Sequence, residues 1–296
     1  MKVAISGGSG IIGKRLSEAF LAAGNEVVVL TRNASEPLNG ISFSQWDPSK
    51  KLLDKAALRN VDVVINLAGA SISQKWTKES RELIVQSRID STSTLVNWLN
   101  GSGHQVKRMI SASAIGFYPF SDELQQESSP SGNHFMSEVC QKWENEAKKL
   151  NSSVALTIVR IGVVLSKKGG ALEKMKPPFK MGFGSALGNG KQWMSWIHED
   201  DLSSIFLHCV DQQIDGIINA VAPYPAQNSA FSKSLAKTMS KPFWAPKVPA
   251  FVLKILLGEM SAVVLGSQKV SSKKVHNSGF SFKFPQLETA LEDLLG

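Results

Sequence analysis

The sequence predicts an α/β protein, a doubly wound parallel sheet with a smaller, mostly helical C-terminal lobe. Three observations carry this reading. An apolar run, Val3-Ala4-Ile5, breaks into a glycine turn, Gly7-Gly8-Ser9-Gly10-Ile11-Ile12-Gly13, that leads straight into a helix-like segment. Strand-like and helix-like patterns then alternate through the first half of the chain. From about Lys167 the pattern loosens into a Gly/Pro-rich stretch that includes Gly169-Gly170, Pro177-Pro178, Gly182, Gly184, Gly188 and Gly190, the kind of segment that lines a site.

The first element sets the chemistry. Val3, Ala4 and Ile5 read as a buried parallel strand and Gly7 as a tight turn. Gly10 lets backbone approach a pyrophosphate, and Gly13 lets the following helix pack close to the sheet. The stripe Ile12, Leu16, Ala19, Phe20, Ala23 makes that helix amphipathic, Gly24 caps it, and Val27-Val28-Val29-Leu30 forms the second strand. This is a dinucleotide-binding start of the Rossmann type. An acidic residue about 20 positions after the glycines would accept from the ribose 2′-hydroxyl of NAD. The chain instead reads Thr31-Arg32-Asn33. A guanidinium there pairs bidentately with a 2′-phosphate, which favours NADP(H); the alternative for Arg32 is an exposed loop cation.

Further strands are expected at Ile41–Trp46, Val61–Leu67, Met109–Ala112 and Val154–Val159. The longest helix runs from about Thr77 to Leu99 with the stripe Val85, Ile89, Thr92, Val96, Leu99. Another starts at Pro130-Ser131-Gly132-Asn133, its stripe being Met136, Val139, Trp143, Ala147 and Leu150. Residues 1–165 are expected to form the NADP-binding domain, joined by sheet elements from about 193–222. Residues 166–296 supply substrate-side loops and the C-terminal lobe, with a helical tail from about 249.

Composition narrows the function classes. The 296 residues are 43% hydrophobic, enough for a large core. The net charge of +8 is spread over separate clusters (Lys50-Lys51, Lys148-Lys149, Lys167-Lys168, Lys273-Lys274), which reads as a solvated surface rather than a polynucleotide groove. Cys140 and Cys209 show no CxxC and no metal spacing, so they are expected as small core residues in a reducing compartment, with no metal. The longest apolar stretch, Pro249 to Leu265, is interrupted by Lys254 and Glu259, and the first strand begins at residue 2. A cytoplasmic protein without a leader, a membrane span or a nucleic-acid partner is expected, monomeric or homodimeric.

Together Gly7–Gly13, Asn66-Leu67-Ala68-Gly69, Ser111-Ala112-Ser113-Ala114 and Trp196-Ile197-His198-Glu199-Asp200-Asp201 resemble an extended short-chain dehydrogenase/reductase, the superfamily of nucleotide-sugar epimerases and dehydratases. Ser87-Arg88-Ile89, Trp143-Glu144, Arg160 to Leu165, Asn219 to Pro223, Leu257 to Met260 and Gly266-Ser267-Gln268 resemble its atypical epimerase-family branch, which adds a C-terminal domain of unknown function and sometimes carries a cell-division-inhibitor label. The likeness spans essentially the whole chain.

The resemblance implies that Gly7, Gly8, Ser9, Gly10, Ile11, Ile12 and Gly13 hold the pyrophosphate, and Thr31 and Arg32 the 2′-phosphate end. Leu67, Ala68 and Gly69 would pass under adenine and ribose, Arg88 would face the cofactor, the stretch from Arg160 through Gly162 to Val164 would run past the nicotinamide, and Ser111 would belong to the cofactor-binding set. For Arg88 the alternative is a surface salt bridge with Glu82 or another helix neighbour. Catalytic members of the superfamily use a Ser/Thr, a Tyr and a Lys one helical turn after the Tyr. Here the corresponding pair is Phe135 and Val139; one turn after the chain's two tyrosines, Tyr118 and Tyr224, stand Asp122 and Asn228. A matched acid or base contributes about 10²- to 10⁴-fold to rate, and the usual relay is missing.

Ser113 and Tyr118 remain as catalytic candidates, the first for polarising a substrate, the second as an acid on a loop. Backbone satisfaction for Ser113 and an aromatic anchor for Tyr118 are the competing roles. His198 is expected to tie the sheet to the C-terminal lobe, and Glu138 with Lys142 to form a solvated helix pair. The substrate region is expected at Gly182 to Trp196, with Phe183, Trp193, Met194, Trp196 and the lone cation Lys191, together with the C-terminal segment. Core residues between two lobes are the other reading of those tryptophans. The sequence thus supports an NADP(H)-binding, epimerase-like oxidoreductase of unknown small substrate, or a non-catalytic NADPH-binding sensor or scaffold.

Overall fold

The computed structural model describes residues 1–33, 36–37 and 39–296. In chain order its strands are β1 (Lys2–Ser6), β2 (Glu26–Thr31), β3 (Ile41–Asp47), β4 (Leu52–Leu53), β5 (Val63–Asn66), β6 (Arg108–Ala114), β7 (Ser121–Gln125), β8 (Ala155–Ile161), β9 (Val163–Ser166), β10 (Trp193–Met194), β11 (Trp196–His198), β12 (Gly216–Ala220), β13 (Ala226–Gln227) and β14 (Gln268–Val270). The helices are α1 (Ile11–Ala22), α2 (Lys78–Leu99), α3 (Phe135–Ala147), α4 (Gly170–Lys180), α5 (Glu199–Asp211), α6 (Asn228–Thr238), α7 (Ala250–Leu257), α8 (Ser261–Leu265), α9 (Lys273–Asn277) and α10 (Leu287–Leu295).

Eight strands form the main sheet in the order β12-β8-β6-β5-β1-β2-β3-β4, parallel throughout except where β4 folds back on β3. With β1 central, Val3, Ala4 and Ile5 are fully buried, which is why an unbroken apolar run is needed there. Parallel register sets the carboxyl ends side by side: Ser6 opposite Asn66, Asn66 opposite Ser111, and Arg160 between Ser113 and Asn219. This edge is where ligands of such sheets bind.

Both faces of the sheet are covered. α1 and α5 bury Leu16, Phe20, Ile205 and Phe206 on one side, while α2 buries Leu95, Val96 and Leu99 on the other. Each such side chain contributes about 1.5–3 kcal/mol by leaving water. A separate core joins Trp196 and Leu172 to Phe231 and Leu235 of α6 and to Leu287 and Leu291 of α10. A second sheet, β13-β10-β14-β7, has β14 inside it, parallel to both β10 and β7.

Three local expectations shift. The buried stripe of α2 is centred on Ile84, Ser91 and Leu95, leaving Val85 and Ile89 half-buried, because the helix packs against α3 as well as the sheet. α3 begins at Phe135, not at Pro130, since Gly132 lies so close to Pro119 that a Cβ would sit 2.9 Å from its Cα, and His134 takes the cap position. The apolar stretch from Pro249 breaks at Gly258 (φ +59°) into α7 and α8, and no helix among the described residues is long and apolar enough to cross a membrane. Cys140 and Cys209 are both buried and free.

Candidate functional site

The turn after β1 is shaped by backbone contact. Gly7 has φ +71°, and a Cβ on it would meet the Leu67 carbonyl carbon at 2.9 Å. A Cβ on Gly13 would sit 2.3 Å from the Gly7 oxygen, so only glycine lets α1 start this close to the turn. Gly8 packs its bare face on Val29, whereas Ser9, Gly10 and Ile11 face solvent and Ile12 is half-buried. Gly10 caps α1 with no side-chain acceptor and no acid follows in the first turn, so the helix presents its N–H groups and positive dipole end outward. Gly169 approaches from the other side, where a Cβ would lie 2.6 Å from Ile11 Cδ1.

Around this turn the neighbouring strand ends are tied together. Ser6 donates to Asn66 (2.7 Å) and accepts from the Leu67 and Ala68 amides, while Asn66 donates to Thr92 (2.9 Å). That network fixes Leu67-Ala68-Gly69 beneath the turn. Arg88 lies on Gly69, donates to the carbonyls of Ala70 (3.1 Å) and Ile84 (2.9 Å), and stands over the Trp143 ring. Its guanidinium has no carboxylate partner among the described residues, Glu82 included. Burial pulls its pKa below the ordinary arginine value. At the end of β2, Thr31 is half-buried, its hydroxyl accepting from the Asn33 amide, and Arg32 is exposed.

The corner where β6 meets α3 is closed. Ser113 donates to Glu144 (2.8 Å), Glu144 receives Arg160 in a two-pronged pair (2.8 and 2.9 Å), and Arg160 donates to the Tyr118 hydroxyl (3.0 Å). Tyr118 donates in turn to Asn219 (2.7 Å). Arg160 lies over the Phe117 ring at 3.5 Å and is 2% exposed; Glu144 is 1% exposed and Tyr118 fully buried. Burial pushes the phenol above its ordinary pKa, only partly offset by Arg160. The Cys140 thiol, beside Ser113, is pushed up to about 11, first by burial and then by Glu144. Val139 is buried, and half-buried Phe135 packs edge-on to Trp76 with Arg81 over its face at 4.2 Å.

Ser111 is buried in mid-strand, with its hydroxyl 3.4 Å from the Ala112 oxygen. Gly162 permits a close crossing, since a Cβ would meet the Ser195 oxygen at 2.7 Å. Val164 pairs with Ile197. The tie to the C-terminal segment is made by Asp201, which accepts from the Lys283 and Phe284 amides (2.7 and 2.9 Å), and by His198 stacked on Phe284. His198 Nδ1 accepts from the Asp200 amide; its Nε2 stands 3.3 Å from Asp293, out of line for a hydrogen bond. Burial lowers its pKa, against the pull of the surrounding carboxylates.

A cavity of about 570 Å³ opens beside Phe135 and Met136, roofed by Lys254, Gly258, Glu259, Ser261, Ala262 and Val263. The segment from Gly182 to Trp196 does not line it. Trp196 is core, donating to the Tyr224 carbonyl; Trp193 lies under Lys269; exposed Phe183 leans on Trp244.

Residues 3–221 match the NAD dependent epimerase/dehydratase family, and residues 248–294 match a domain of unknown function, DUF1731. The chain belongs to the NAD dependent epimerase/dehydratase family. Among its relatives, "Epimerase family protein SDR39U1 homolog, chloroplastic" of Arabidopsis thaliana is 38% identical, covering 100% of this chain and 87% of that protein. "Epimerase family protein YfhF" of Bacillus subtilis is 35% identical, covering 100% and 98%. The crystal structure of human epimerase family protein SDR39U1 (isoform 2) with NADPH superposes with a TM-score of 0.88 at 28% identity over 99% of each chain. A nucleoside-diphosphate sugar epimerase from Corynebacterium glutamicum gives 0.79 at 32% identity, over all of this chain and 58% of that one.

The glycine turn is legible in the sequence residue by residue, whereas the partners of the closed corner are not. Asn219 and the Glu127 carbonyl, which accepts from Arg160 at 3.2 Å, come from distant segments. The Trp143-Glu144 pair carries a signal: an acid at the buried edge of an apolar stripe needs a buried cation.

Proposed function

We propose that the chain binds NADP(H) and acts as an epimerase-like oxidoreductase on a small molecule, without the Tyr-Lys proton relay. One observation carries this reading: the turn from Gly7 to Gly13 is open on its outer side, its helix N-terminus is uncapped by any side chain, and Arg32 is exposed at the end of the adjoining strand. Gly7, Gly8, Ser9, Gly10, Ile11, Ile12 and Gly13 would take the pyrophosphate, Thr31 and Arg32 the 2′-phosphate, and Leu67, Ala68 and Gly69, backed by Arg88, the adenosine end. Bound, the nicotinamide supplies or accepts a hydride.

The chain's own part is positional. Glu144, fixed by Arg160, accepts the hydrogen bond from the buried Ser113 hydroxyl, so Ser113 would reach a substrate only if the closed corner opened beside it. Residues 1–165 would serve the cofactor and residues 166–296 the substrate side, in a cytoplasmic monomer or homodimer. The NADPH-bound human relative and the family match support the cofactor.

The test titrates NADPH into the wild-type chain and Arg32→Asp, then follows reduced-nicotinamide absorbance as metabolite fractions are added. Saturable binding about ten- to a hundredfold weaker in the variant, with oxidation by one fraction, is expected. No binding by the wild type would sink the reading. A second reading, a non-catalytic NADPH sensor or scaffold, is favoured by the fully buried Tyr118 with its raised phenol pKa and by apolar Val139. Tight binding with no oxidation by any fraction would select it.

A further inference from the structure

We propose that the cavity beside Phe135 binds a small apolar monoanion, a carboxylate on an aromatic or hydrocarbon body, with the carboxylate at Lys254. The proposal rests on the oxidoreductase reading and names its substrate class. At about 570 Å³ the cavity falls within the usual range for small-molecule sites. Its walls are apolar. Trp76 and Phe135 meet edge to face at 4.9 Å, and Phe120 lies flat on His134 at 4.0 Å.

Of the charged and titratable groups in the lining, only Lys254 is left with a free charge among the described residues. Arg81 is paired with Glu259 and stacked on Phe135. His134 accepts the Ser137 amide at Nδ1, so Nε2 carries the proton toward the Tyr118 carbonyl (3.0 Å) and the ring is neutral, with burial lowering its pKa. Lys254, on α7, makes no ion pair and no side-chain hydrogen bond with the described residues. A lone cation against aromatic walls matches one negative charge on a greasy body. A nucleoside-diphosphate sugar brings two phosphate charges and many hydroxyls, which these walls would leave unpaired. The DUF1731 match covers Lys254, Glu259 and the roof residues, so in this proposal that segment closes and charges the cavity.

The experiment measures binding of 2-naphthoate, 2-naphthamide and UDP-glucose to the full chain, with and without NADPH, by calorimetry. Two variants, Lys254→Met and Ala262→Trp at an exposed roof position, are checked for unchanged thermal unfolding. The expected result is about tenfold tighter binding of the acid than of the amide. Lys254→Met abolishes that preference, Ala262→Trp removes both, and NADPH titrations stay unaltered. Equal affinity for acid and amide, or displacement of naphthoate by UDP-glucose, overturns the proposal. NADPH binding without naphthoate binding overturns the cavity assignment alone. Naphthoate discrimination without NADPH binding upholds the cavity and removes the cofactor reading.

Discussion

The glycine turn after β1 and the corner where β6 meets α3 lie on the same edge of one sheet and treat their polar groups in opposite ways. At the turn, glycines strip side chains away and the first N–H groups of α1 face outward without a side-chain cap. At the corner, Ser113, Glu144, Arg160, Tyr118 and Asn219 satisfy one another under cover. An open end binds by lacking internal partners; a closed end holds shape by having them all. The open turn and the closed corner are thus built by separate sets of residues, so one can be kept while the other changes.

The largest effect that would break this contrast is at the closed corner. Arg160→Met leaves the buried Glu144 carboxylate with the Ser113 hydroxyl and, as its one cation, Lys148 3.7 Å away, and should cost about 3–5 kcal/mol in urea unfolding, with little change in NADPH affinity per folded molecule. If the variant unfolds like the wild type, the corner is not the rigid element described. Next, Gly13→Ala drives a Cβ into the Gly7 carbonyl and should cost about 1–3 kcal/mol while weakening NADPH at least about tenfold. Wild-type affinity there would show that the turn yields.

Ser113→Ala removes one buried hydrogen bond while Arg160 still satisfies Glu144, so a loss of about 1–2 kcal/mol is expected. In the enzyme reading, turnover also falls while NADPH affinity holds; unchanged turnover removes Ser113 from the chemistry. The smallest effect is in pH. His134 and His198 have pKa values lowered by burial, so the unfolded chain binds more protons than the folded one just below the ordinary histidine value of about 6.5. Stability should therefore decline as pH falls through that value toward the folded pKa values. A flat stability profile from pH 7 to 5 would refute this.

What can be read from residues alone follows the range of the interactions. The β1 turn, α1 and β2 sit within one short segment whose periodicity and glycines are local, and Thr77 announces α2 by accepting the Ser80 amide. The buried face of α2 is offset by about one residue from its apolar stripe, because packing against α3 adds a second buried side that a single stripe does not encode. The corner is out of reach of the sequence, since Tyr118, Glu144, Arg160 and Asn219 meet only after β6, β8, β12 and α3 have assembled. The cavity lies away from Gly182 to Trp196, whose aromatics are occupied with Tyr224, Lys269 and Trp244.

The inner place of β14 in the second sheet has a consequence for how the molecule comes into being. Gln268 to Val270 lie between β10 and β7, strands made much earlier in synthesis, and Ser267 gives its hydroxyl to Asp122 and accepts the Trp193 amide. A nascent chain emerging from the ribosome has all the strands of its main sheet synthesised before this insertion is possible, and such distant pairings form slowly. The second sheet and the cavity roof beside β14 can therefore close only after this last strand has been made.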